Sequence, residues 1–177
     1  MLSLRPETLA LLNDIESRIN PETEEDLAAQ WKAFLYGESK EDIFRPRRKK
    51  MSPPGVPIPN ININDALSDV ETMLVHQLAG VSHALKTETL NLAVRANYGT
   101  GILSSLFGAE IFEMPREMNT LPTTKPFNDA DVIREIVEKG IPDLENGFGA
   151  RVFAFGRLWH EVCAAYPKIA TYVSIYH

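Results

Sequence analysis

Between Pro46 and Pro59 the chain carries five of its 12 prolines. The stretch Pro53-Pro54-Gly55-Val56-Pro57-Ile58-Pro59 fits neither a helix interior nor a central strand, because proline lacks the N–H that both require. Residues 45–60 therefore read as an extended connector, dividing a helical appendage (1–44) from the main body (61–177). The charge pattern changes at the same place. Residues 1–44 hold 4 basic and 10 acidic side chains, after which Arg45-Pro46-Arg47-Arg48-Lys49-Lys50 places five positive charges in six residues. Without interleaved aromatics, such a run is expected to be solvated or to pair with the acids before it, not to form a nucleic-acid surface.

The appendage reads as two amphipathic helices. The first carries Leu9, Leu12, Ile15 and Ile19 on one stripe. The second starts at Asn20-Pro21, a capping side chain followed by proline at the first helical position, and carries Leu27, Trp31 and either Phe34 or Leu35. In the main body, a helix capped by Asn64 carries Leu67, Val70, Leu74, Leu78, Val81 and Leu85. Leu90–Asn97 then alternates with period two, placing Leu90, Leu92 and Val94 on one face and Asn91, Arg95 and Asn97 on the other. Tyr98-Gly99-Thr100-Gly101 turns the chain into a short helix, Ile102–Phe107, that Gly108 ends. Ile111–Met114 is a second short strand. A helix capped by Asn128 ends at Gly140, and another carries Phe148, Val152, Phe155, Trp159, Val162 and Tyr166 before Pro167 stops it. Tyr172–His177 begins a further strand. Strands separated by helices predict a parallel α/β arrangement.

Composition narrows the function. With 44% hydrophobic and 24% charged residues the chain reads as an ordinary globular protein, and its net charge of −6 gives no general field for nucleic acid. No apolar run is long enough to span a bilayer and no signal segment opens the chain, so no membrane partner is expected. The single Cys163 fits a reducing, cytoplasmic compartment. The motifs of nucleotide loops, serine hydrolases and zinc proteases are absent. His76 and His83 lie off the apolar seam and read as surface residues. His160 and Cys163 lack further ligands, so neither a metal nor a cofactor is expected. Ligands of α/β folds gather at the C-terminal ends of strands, which selects Asn97, Tyr98 and Thr100 after the first strand, Arg116 after the second, and His177 after the last. Arg116 offers a rigid fork for a carboxylate or phosphate, unless Glu113 or Glu117 fills it.

Several segments in order resemble the uroporphyrinogen decarboxylase superfamily, in particular its uncharacterised bacterial decarboxylase-like branch. They are Val94-Arg95-Ala96-Asn97-Tyr98-Gly99-Thr100-Gly101-Ile102, Leu106-Phe107-Gly108-Ala109-Glu110, Met114-Pro115-Arg116-Glu117-Met118-Asn119, and the Lys125-Pro126 lead into an acidic helix start. The resemblance implies the N-terminal portion of a (β/α)8 TIM barrel, incomplete at this length because such barrels run to about 250 residues. It also implies a site at the strand C-terminal ends acting on a carboxylated or polyanionic small molecule, with Asn97, Tyr98, Thr100, Arg116 and His177 binding substrate. The Arg-x-x-Gly-Arg-Tyr loop and the catalytic aspartate of true uroporphyrinogen decarboxylases are absent, so the catalytic residues are unknown. Corrinoid- or thiol-dependent methyl transfer is the alternative within the superfamily. A non-catalytic binding module, associating as a homo-oligomer through uncovered apolar surface, is the third reading.

Overall fold

A computed structural model describes residues 3–39 and 43–176. Its helices are α1 (Pro6–Arg18), α2 (Pro21–Leu35), α3 (Ile63–Ser68), α4 (Val70–Leu85), α5 (Ile102–Leu106), α6 (Ala130–Lys139), α7 (Gly149–Ala165) and α8 (Pro167–Tyr172). The strands are β1 (Ala93–Val94), β2 (Ile111–Phe112), β3 (Thr123–Thr124) and β4 (Ser174–Ile175). Helix makes up 53% of the described residues.

The (β/α)8 expectation is overturned. The described residues form two separate two-stranded sheets, β1–β4 parallel and β2–β3 antiparallel, with no barrel-like arrangement. The physical reason lies in the backbone partners beside each ladder. Ser174 N–H donates to Leu92 O at 3.0 Å and Tyr176 N–H to Val94 O at 3.1 Å. The Arg95 N–H then turns to the side-chain Oε1 of Gln77, and the Tyr98 N–H bends back to Ala96 O, so β1 stops after two residues. Pro115 lacks the donor needed to extend β2. The strand expected over Leu90–Asn97 thus shrinks to its centre, although Leu92 and Val94 are buried as the alternation requires.

Two compact units divide the chain: residues 1–60, 77–95 and 161–176 form one, and residues 61–76 and 96–160 the body of the other. In the first unit the α1 stripe is buried through Leu11, Leu12, Ile15 and Ile19, and α8 packs on both α1 and α2. Asn20 caps α2 as expected, accepting from Thr23 N–H at 3.0 Å. Phe34, not Leu35, continues the α2 stripe: its ring stacks on Phe44 at 4.2 Å, with Trp31 edge-on to the same ring at 4.8 Å. Residues 45–60 contain neither helix nor strand, as proline dictates.

Two residues of the basic run, Arg48 and Lys49, pair with the acids before it, while Arg45, Arg47 and Lys50 are exposed. Lys49 Nζ reaches Asp26 at 2.6 Å. Arg48 is fully buried, and all five of its N–H donors are spent: Nε and Nη2 on the Glu24 carboxylate, Nη1 on the Ala84 and Thr87 carbonyls, and Nη2 again on Leu90 O. A buried charge is tolerated only when matched in this way.

In the second unit the expected single helix from Asn64 is two helices. Asn62 supplies the cap of α3, and the chain turns extended at Asp69, whose carboxylate accepts from Thr72 N–H and starts α4. Leu67, Met73, Leu74, Phe148 and Phe155 are buried. Asp129 rather than Asn128 caps α6. None of the ten α6 residues is buried; Val137 is 73% exposed, and the following Ile141 92%.

Candidate functional site

In the first unit, the parallel register Val94↔Ile175 makes both strands leave the sheet at one end. Arg95 follows β1 there and Tyr176 follows β4. The Arg95 backbone is tied to α4 through Gln77 Oε1 at 3.2 Å. The residue as a whole is half-buried, and no carboxylate, carbonyl or hydroxyl among the described residues takes its guanidinium. A guanidinium without an acceptor is a fork open to an anion. The sequence had placed Arg95 on the polar strand face without singling it out. Its position directly after a strand was the available signal.

The sequence-predicted residues of the second unit fall into two places. Asn97 is half-buried and its Oδ1 is buried without a hydrogen-bond partner. Tyr98 is a core residue: it is 1% exposed and its ring stacks on Phe148 at 5.6 Å. Burial pushes its hydroxyl above the ordinary value of 10.0, so it stays protonated. Thr100 is exposed. The turn that carries these residues needs its glycines. Gly99 has φ +82°, and a Cβ there would lie 2.6 Å from Pro122 O; a Cβ on Gly101 would lie 2.6 Å from Thr124 Cγ2. Residues 98–101 are thus held against 122–124.

Arg116 sits elsewhere, bound to α3. Its fork is filled by Asp65, Nη1 to Oδ1 at 2.6 Å and Nη2 to Oδ2 at 2.7 Å, and not by Glu113 or Glu117. The Arg116 hydrogen bond holds the Asp65 carboxyl below the usual carboxylate range. Asn62 Nδ2 donates to Arg116 O, and Asn119, left-handed at φ 43°, accepts from Ile63 N–H at 2.9 Å. The loop is therefore braced against α3. His177, the remaining expected ligand, lies outside the described residues.

Among the described residues no three His, Cys, Asp or Glu side chains converge as a metal site. Cys163 is half-buried, and burial pushes its thiol above the ordinary value of 9.0. Also among those residues, no helix is long and apolar enough to cross a membrane. No protein-family model, curated protein or solved structure matches the chain.

Proposed function

We propose that this chain binds a carboxylated or polyanionic small molecule, the role implied by its resemblance to the uroporphyrinogen decarboxylase superfamily, with Arg95 holding one carboxylate. The observation that supports this reading is Arg95, a half-buried residue whose guanidinium has no acceptor among the described residues, where β1 and β4 run out together. A guanidinium with no acceptor of its own can take a carboxylate bidentately without first breaking an ion pair. Arg116 is the weaker holder on this reading. Asp65 already occupies its fork, and an incoming carboxylate has to displace an exposed ion pair, which is worth about 0–1 kcal/mol.

Titration of the chain with uroporphyrin, followed by the porphyrin's own fluorescence, tests the binding. Saturable quenching is expected, weakened at least about tenfold by Arg95→Gln, the loss of one charge-assisted contact, and only a few-fold by Arg116→Gln. Absence of saturable binding, or an Arg95→Gln variant that binds like the parent, overturns the proposal.

A further inference from the structure

The first unit also carries a cavity lined by basic residues. The end of α1, the start of α2, the basic connector and the start of α8 line this cavity of about 250 Å³, which opens to solvent. Among the described residues Arg18, Lys50 and Lys168 line it, and no acidic side chain does. Arg18 has nothing left to donate: its five N–H groups go to Asp14, to Ser52 O, and to the hydroxyl and carbonyl of Ser82. It holds the connector in place, and its charge is matched by Asp14.

The two lysines are different. Lys168 Nζ gives one hydrogen bond, to Ile19 O at 3.0 Å, and Lys50 Nζ gives none among the described residues. Neither forms an ion pair there. The acid beside Lys168 is Glu16, whose two oxygens are both taken by the Lys168 and Ile169 N–H groups that begin α8. Glu22, in the first turn of α2, is exposed and lies outside the cavity lining. Lys50, which is exposed, and Lys168, which is half-buried, both line the cavity, and among the described residues their ammonium groups keep five unused N–H donors, at three per ammonium less the one given to Ile19. In a chain of net charge −6, attraction of an anion has to come from such local contacts and not from the overall field.

We propose that this cavity binds a dianionic phosphate group, as inorganic phosphate or a phosphate monoester. Two unmatched positive charges balance a dianion, and the spread of donors suits an acceptor with several oxygens better than a single carboxylate. The site gives a use to the end of the basic run, of which Arg48 and Lys49 are already committed to Glu24 and Asp26.

The full chain is titrated with inorganic phosphate by calorimetry at constant ionic strength, and its thermal midpoint is followed in parallel. Saturable heat and a rise in midpoint are expected. Lys50→Met and Lys168→Met, which keep an apolar stem, should each weaken binding at least about tenfold, as loss of a charge-assisted hydrogen bond requires. Lys125→Met, at a lysine paired with Glu110, should leave it unchanged. A second arm offers vesicles containing phosphatidic acid. Vesicle binding displaced by inorganic phosphate supports the site and identifies a lipid headgroup as its source of phosphate, whereas vesicle binding without any uptake of inorganic phosphate overturns it. Absence of saturable phosphate binding, or lysine variants that bind like the parent, also overturns it. Because Arg95 is untouched by these variants, uroporphyrin binding should survive in both, which separates failure of this site from failure of the other.

Discussion

Arg48 shows how far one side chain can commit a chain to its fold. Each of its five donors has a defined acceptor, and its guanidinium is 0% exposed. Arg48→Gln leaves Glu24 buried and unmatched, so it should cost about 3–5 kcal/mol in urea unfolding. Arg48→Lys should recover little of that, since a lysine ammonium cannot reproduce the fork. Arg47→Ala, one residue away at an exposed side chain, should stay within about 0.5 kcal/mol of the parent. Equal effects at 47 and 48 would contradict the buried clamp. Charge counting had already suggested that the basic run answers the acids before it, but not which arginine is swallowed; burial depends on packing around Ala84 and Leu90, which no local pattern encodes. A pH effect belongs at the same scale. Burial lowers the pKa of His76 below its ordinary 6.5. The unfolded chain therefore binds this proton more readily than the folded one, and the stability held above pH 6.5 is lost as pH falls through the depressed value. Thermal midpoints measured from pH 7.5 downward should fall less steeply in His76→Gln than in the parent across that window, given the direction of the shift.

At the level of elements, the periodic signals were the legible ones and their interruptions were not. Leu67, Val70 and Leu74 keep helical spacing straight through Asp69, so the apolar pattern runs on where the backbone breaks. The break is chemical: the Asp69 carboxylate satisfies an amide at the start of α4 that would otherwise lack a partner. Asp69→Ala should destabilise by about 1 kcal/mol, measured as a lowered midpoint in thermal unfolding. An unchanged midpoint would mean that the cap contributes nothing. Pro167 was read as a stop, yet it opens α8 from the first helical position, where its missing N–H costs nothing. The cap of α6 lies one residue beyond the expected Asn128, within the ordinary uncertainty of helix ends. β3 gave no signal at all: two threonines between Pro122 and Pro126 have no alternation to read, and they become a strand only because β2 supplies the antiparallel partner. Of the candidate ligands, the polar strand face was legible. That Tyr98 would turn into the core to meet Phe148, or that Asp65 from 51 residues earlier would fill the Arg116 fork, was not, because both depend on contacts distant in sequence.

Stability is distributed unevenly through the molecule as a whole. The barrel expectation failed because local alternation states which residues can lie in strands but not which strands meet, and among the described residues each strand finds one partner only. Burial then has to come from helices, and it does so very unequally within the second unit. Phe155, at the centre of α7, is fully buried, whereas α6 buries none of its residues. Phe155→Ala should cost about 3–5 kcal/mol, while Ile141→Ser, at a side chain almost wholly in solvent, should stay within about 0.5 kcal/mol. The same inequality sets local opening. A helix of ten residues is too short to be stable in water on its own, and α6 has no buried apolar side chain to hold it closed. Its amides should therefore exchange with solvent deuterium by local fraying well before those of α7, whose release requires Phe155 and Trp159 to leave the core. Mass spectrometry of peptic peptides resolves the two segments. Protection of α6 equal to that of α7 would show that burial does not govern which part of this molecule opens first.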